Sequence, residues 1–512
     1  MSSKETNRSN SDLIGLAMIL AISIALFELW MATTDHENSR SQHLGGAVMY
    51  AKGHIDLLRP MLLGFNANSA PTPLEFPIWA AVTAGLMKCF GLWHGWGNVV
   101  SLIFFYSSLV ALFDLCRRLG SLRIAWWAVV FSLLQPLTIW VGGQAGADSA
   151  SWSFAMWFIY FSYRMMNEGR WTWYLAAVVT GCLSATTKAP FFMTAGLATF
   201  FWLCARRRHS ARAWFFLASA GMISFLALLA WNHHCSQLYL QAEFPTVDLN
   251  PARMNRWYFG SLAYRLNLHN WLRGFWHLSG VVFGSASFIV CLLLAARLKR
   301  TAQAWLWLLA AGCTTMMFTT LLWEHLQYFF IYAPAVAWLC AVAAAEFEFS
   351  LWDALRLSVP ARALVLAVVF GVSLAQTYMA IHINMLFDNY EHQVAQLIKE
   401  NSKPTDKILV WGMTWGDPFL DAERDGLTGS LQLDDTAWIN DPAKLQRLQQ
   451  LGFREIVLIN PSPFIVALTS VNGKHGEKIV DLHARVPAVA RNWPVIYDST
   501  QLLIIRMPDR GG

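Results

Sequence analysis

The chain has 512 residues, of which 56% are hydrophobic and only 14% charged. Soluble domains carry about 25% charged residues, so composition excludes a soluble globular chain. The net charge of +6 is then no nucleic-acid signal, because cationic residues in a membrane protein first report topology.

In chain order, about eleven apolar stretches approach the length of a bilayer span. They cover residues 12–34, 97–116, 122–141, 148–166, 171–187, 190–205, 213–232, 272–296, 303–322, 327–346 and 363–383. The first lacks a small-residue cleavage site and reads as a span, not a removed signal. Residues 76–93, interrupted by Lys88 and Gly91, read as a helix lying along the membrane surface. The 26 tryptophans suit chains with many membrane–water boundaries. Eight cysteines, all before residue 341 and without a CxxC pair, read as small apolar packing residues.

The short loops fix an expected orientation. Lys4 and Arg8 precede the first span, and Arg117, Arg118 and Arg123 follow the second. Arg164 and Arg170, then Arg206 to Arg208 with Arg212, continue the alternation, as do Arg297, Lys299 and Arg300, then Arg356 and Arg362. Every second loop is basic, which puts the N-terminus inside and the tail outside. The expected organisation is a cytoplasmic tail 1–11, a transmembrane module 12–383 with a long first outer loop 35–96, and a periplasmic domain 384–512. That domain reads as α/β. Leu386 to Glu400 and Pro442 to Leu451 are expected helices, Lys407 to Trp411 and Glu455 to Ile459 strands, and Val495 to Tyr497 with Gln501 to Arg506 a closing hairpin.

Ionisable groups at membrane depth are expensive and mark function. They gather at outer helix ends. Asp35-His36-Glu37-Asn38-Ser39-Arg40 follows the first span, where two carboxylates and a guanidinium could hold a base beside a phosphate; a plain polar helix exit has the same look. Glu75 stands in Leu74-Glu75-Phe76-Pro77, and as a helix N-terminal acid it would need no other role. Asp148 follows the glycine-rich turn 142–147 and could be a helix N-cap, a ligand or both. Lys188, in Thr187-Lys188-Ala189-Pro190, breaks the charge alternation in a very short loop, which favours a functional role. His325 and Tyr328 lead into the tenth span. The outer loop 233–270 adds Arg253, Arg256 and Arg265; a bound anion and a solvated loop both account for them. His36, His43 and His54 show no metal-ligand spacing such as HExxH.

These motifs in this order resemble the GT-C class of membrane glycosyltransferases, and within it the bacterial relatives of protein O-mannosyltransferases and of the lipid A aminoarabinose transferase. The resemblance covers residues 10–350. It implies a polytopic α-helical membrane fold with a C-terminal α/β extracytoplasmic domain. It implies transfer of a sugar from a polyprenyl-phosphate donor to an envelope glycolipid, glycan or protein acceptor, with no nucleic acid involved. The acceptor then needs a carboxylate base, which is Asp35 or Glu37. The departing phosphate needs charge stabilisation, for which Arg40, Lys188, Arg256, Arg265 and His325 are candidates, with Tyr328 beside them. Glu75 and Asp148 would position the acceptor. The resemblance implies no definite cofactor beyond an optional divalent cation, which would fall to Asp35, Glu75 and Asp148. A polyprenyl-glycan polymerase or ligase and a lipid-linked sugar flippase are the rival readings. The clustering of charge at helix ends and the absence of an inverted repeat weigh against a transport path.

Overall fold

The computed structural model describes residues 15, 18, 19, 21–26, 42–62, 75–205, 211–244, 254, 255, 258–277, 302–347, 368, 375, 393–412, 422, 424, 426–429, 441–461 and 479–508. Its helices, in chain order, are α1 (Gln42–Lys52), α2 (Ile78–Phe90), α3 (Trp96–Leu119), α4 (Leu122–Leu133), α5 (Pro136–Gly143), α6 (Ala147–Glu168), α7 (Trp171–Thr187), α8 (Ala189–Ala205) and α9 (Ala211–Gln241). Then follow α10 (Leu262–Leu266), α11 (Leu268–His277), α12 (Ala302–Met317), α13 (Thr319–Glu324), a 3-10 turn (Leu326–Tyr332), α14 (Ala333–Phe347) and α15 (Pro442–Gln450). The chain divides into two compact units.

The first unit, Met1–Asp35, Asn98–Asn232 and Asn255–His382, is a helical bundle. Helices long and apolar enough to cross a membrane are Trp96–Leu119, Ala211–Gln241 and Gln327–Ala345; Leu122–Leu133 and Ala189–Ala205 are shorter apolar helices. Buried rings of Trp152, Phe158, Phe191, Trp307, Phe330 and Trp338 fill the centre. Hydroxyls tie the helices where apolar packing alone gives no direction. Ser151 Oγ donates to Ser184 O and Ser184 Oγ donates to Ser151 O, each at 3.1 Å, clasping α6 to α7. Thr194 Oγ1 donates to Thr314 Oγ1 at 2.9 Å, joining α8 to α12.

Several expected spans are broken. Residues 122–141 form two helices, because Pro136 lacks the N–H that would continue α4 and can only start α5. Gln135, just before the break, donates through Nε2 to Ala333 O at 3.0 Å and accepts at Oε1 from Thr138 Oγ1. Residues 303–322 are interrupted at Phe318, where Thr315 and Thr319 hydroxyls bond back to carbonyls of the preceding turn, a habit that bends helices. The tenth span opens as the 3-10 turn before α14. Helix α9 runs on to Gln241, so His233 and His234, expected in a loop, are helical. Most of the first, eighth and eleventh stretches lie outside the described residues.

The second unit is His36–Gly97, His233–Met254 and Ile383–Gly512. Helix α1 packs on α2 through Leu44, Ala47, Tyr50, Trp79 and Met87. The connecting loop is held from three sides. Tyr50 Oη donates to Asp56 O and Arg59 O, Lys88 Nζ to Gly53 O at 2.6 Å, and His234 Nε2 to Leu58 O at 2.7 Å. Burial, with the Asp56 charge added, pushes the Tyr50 phenol up.

The tail forms a five-stranded sheet in the order β2-β1-β3-β5-β4: β1 (Lys407–Trp411), β2 (Gly426–Gly429), β3 (Phe453–Ile459), β4 (Val495–Asp498) and β5 (Leu502–Arg506). β1 pairs in parallel with β2 and β3, whereas β5 runs antiparallel to both β3 and β4. Both faces are covered, so strand residues alternate between two apolar cores. Ile408, Val410, Val457 and Ile504 meet the helix at residues 393–401. Leu409, Ile456, Leu458 and Ile505 meet α15 and Phe244. Strand β2, with no apolar run, was not expected.

Candidate active site

Lys188 is the C-cap of α7, in extended conformation, and α8 begins at the next residue. Pro190 tolerates this because the first-turn N–H groups of a helix have no intrahelical partner. The kink leaves Lys188 buried. Its Nζ lies 3.5 Å from Asp148 Oδ1 and donates to Tyr328 Oη at 3.2 Å. Three expected site residues from distant parts of the chain therefore meet.

Each is fixed by its element. Asp148 sits in the first turn of α6, where the helix dipole favours a carboxylate. It is not the N-cap: that position belongs to extended Gly146, whose N–H donates to Ser101 Oγ. The preceding glycines serve close packing. Gly142 and Gly143 are helical in α5, and a Cβ at Gly142 would stand 3.0 Å from the Phe105 ring. Tyr328 is buried in the 3-10 turn, with its ring 5.8 Å from that of Phe191. His325 precedes that turn; its backbone carbonyl accepts from Tyr328 N and its ring stands edge-on to Tyr328 at 6.4 Å.

The Lys188–Asp148 contact is an ion pair without a well-formed hydrogen bond. Asp148 Oδ1 is buried and makes no hydrogen bond among the described residues. A buried ion pair offsets its desolvation only when geometry is tight and the remaining polar atoms are satisfied. At 3.5 Å this pair is long.

Arg265 belongs to the same unit, at the end of α10, and its Nε donates to Phe259 O at 2.7 Å. Glu75 lies in the other unit, before α2, and interacts electrostatically with Cys235. Asp35, Glu37, Arg40 and Arg256 lie outside the described residues. No three His, Cys, Asp or Glu side chains converge as a metal site among the described residues. Sequence reasoning passed over Phe191 and Trp152, the aromatic wall behind Tyr328, whose rings are 5.7 Å apart. Their signal was spacing, since Phe191 follows Lys188 and Trp152 follows Asp148 by about one helical turn.

No protein-family model and no curated protein matches the sequence. Solved structures do. ArnT from Cupriavidus metallidurans bound to undecaprenyl phosphate is 13% identical, with 96% of this chain and 97% of that chain covered and a TM-score of 0.60. Its apo state aligns over the same shares at 0.57. The Archaeoglobus fulgidus oligosaccharyltransferase aligns with 88% of this chain and 69% of its own at 0.49, with 11% identity. Over 96% of its length, the chain has the fold of ArnT.

Proposed function

We propose that this protein is a membrane glycosyltransferase that moves a sugar from a polyprenyl-phosphate donor to an acceptor on the outer face of the membrane. The observation that carries the reading is the buried Lys188 ammonium, held loosely by Asp148 and bonded to Tyr328. A cation so placed is suited to a phosphate oxyanion, and the like-folded ArnT was solved with undecaprenyl phosphate.

In the proposed reaction, the acceptor hydroxyl or amine gives its proton to a carboxylate as it attacks the anomeric carbon. Asp35 takes that role, with Glu37 as the second candidate. The bond from the anomeric carbon to the phosphate oxygen breaks, and polyprenyl phosphate departs with the electron pair. A phosphate monoester is already a weak base, so it needs positive charge more than a proton. Lys188 supplies that charge, with His325 beside Tyr328, and Arg265, Arg256 and Arg40 complete the cationic surround. Glu75 orients the acceptor, and Asp148 returns as the partner of Lys188 once the phosphate leaves. The N-terminus lies inside, the module 12–383 spans the membrane, and the domain 384–512 stands outside.

The test is transfer of radiolabelled sugar from a synthetic polyprenyl-phosphate donor by the full-length protein in detergent. Asp35→Asn is expected to lower turnover by about 10²–10⁴-fold, the size of a lost general base. Wild-type turnover in that variant with a dead Glu37→Gln moves the base to Glu37. A preparation that binds donor and yields no product with any envelope acceptor rejects the enzyme reading.

A further inference from the structure

Residues 258–277 form a strap gripped along one side by α13 and the residue before it. Gly260 adopts φ 64°, and a Cβ there would run into Thr320 Oγ1. At Gly274 a Cβ would overlap the Trp323 ring. Phe259 stacks on Phe318 at 5.3 Å, and Trp271 stands edge-on to Trp323 at 5.3 Å. Internal bonds stiffen the strap: Trp271 Nε1 donates to Arg265 O, and Asn270 Nδ2 to Tyr264 O.

The other side is bare and apolar. Leu262, Leu266, Leu268, Leu272 and Phe275 are exposed by 70%, 73%, 69%, 61% and 57%. Within each helix they stand three, four or seven residues apart, so they share a face. A contiguous patch of this kind is not left in water without a function. Of the apolar stretch 272–296, the described residues are 272–277, and they belong to α11. His269, Asn270 and His277 interleave with its apolar residues, which makes it amphipathic in the manner of a surface helix.

We infer that the strap lies in the membrane interface, with these five side chains among the lipid acyl chains of the leaflet at that end of the bundle. The position of α13 supports this occupant. It leads into Gln327–Ala345, which holds most of the 3-10 turn and is long and apolar enough to cross a membrane, so the strap is tied to the level where a span ends. Trp271 and Trp323 form the strap's grip, and Trp is the residue favoured at that level. Uncovered apolar side chains elsewhere in this unit, such as Ile103, Val110, Met222 and Leu226, stand on α3 and α9, both able to span. The strap's leucines join the same lipid-facing class. Arg265, fixed by its bond to Phe259 O, is then carried at headgroup depth.

The test places a benzoylphenylalanine photoprobe at Leu266, Leu272, His269 or Val110 of the full-length protein. The protein is irradiated in vesicles of phosphatidylethanolamine and phosphatidylglycerol, and adducts are read by mass spectrometry. Acyl-chain adducts at 266, 272 and 110, lost at 269, are expected. Adducts to peptide at 266 and 272, from a second copy or another segment, overturn the inference. So does labelling of lipid at 110 with none at 266 and 272.

Discussion

Two ion pairs in this chain, each with one sealed partner, are built in opposite senses. In the bundle the cation is sealed and the carboxylate is the more open partner: side-chain exposure is 7% for Lys188 and 18% for Asp148, at 3.5 Å. In the sheet the carboxylate is sealed and the cation reaches water, with 0% for Glu455 and 39% for Arg506, at 2.5 Å. The sheet pair is short and also anchors Arg506 to Asn401 O, so it crosslinks β3, β5 and the helix at 393–401. The bundle pair is longer and leaves Asp148 Oδ1 without a hydrogen bond among the described residues, as the sheet pair leaves Glu455 Oε2 and Arg506 Nε. One pair crosslinks two strands and a helix, whereas the other joins three helical segments around a buried cation.

Breaking the bundle pair should therefore cost chemistry. Lys188→Ala is expected to lower transfer by about 10²–10³-fold, the loss seen when one charge-stabilising donor is removed, measured as single-turnover sugar transfer. Tyr328→Phe keeps the ring against Phe191 and removes only the acceptor for Lys188. A loss of about tenfold is expected, the worth of one hydrogen bond to a charged group, with the melting temperature unchanged.

The sheet pair should answer in stability alone. Burial holds the Glu455 carboxyl above its ordinary value of 4.5, with the Arg506 guanidinium pulling the other way. A carboxyl raised on folding contributes stability that is complete below its unfolded value and lost as pH rises through its folded value. Glu455→Gln should remove that loss. The variant should keep full activity, and its stability should vary less with pH than that of the wild type, because Gln does not titrate. Thermal unfolding of the full chain between pH 4 and pH 8 checks this. Equal activity losses in Lys188→Ala and Glu455→Gln would erase the distinction between the pairs.

What was readable in the sequence follows the same division. Asp148, Lys188, His325 and Tyr328 stood out because charge in an apolar chain is conspicuous, and the structure brings them together. The strand runs Lys407–Trp411 and Glu455–Ile459 and the hairpin of Val495–Tyr497 with Gln501–Arg506 were legible between turn residues, and in the structure the strands cover Lys407–Trp411, Phe453–Ile459, Val495–Asp498 and Leu502–Arg506. Strand β2 was not, because Gly426–Gly429 is held by its pairing with β1 and carries no apolar pattern of its own. The break at Pro136 was hidden inside an apolar stretch, since hydropathy averages over the single residue that stops a helix. The extension of α9 past residue 232 was missed for the converse reason: polar residues ended the apolar run but not the helix.

The bond from Gln135 to Ala333 spans 198 residues of sequence, and this has a consequence for biogenesis. Helices enter a membrane in the order of synthesis, so α4 and α5 arrive long before α14. Until then the Gln135 amide sits in the bundle without its carbonyl, at a cost of several kcal/mol in a hydrocarbon setting. The early helices thus stay provisional until the residues around 333 are inserted, and a chain truncated ahead of them should be a substrate for membrane proteolysis. The finished bundle is in this sense locked by one of its last helices.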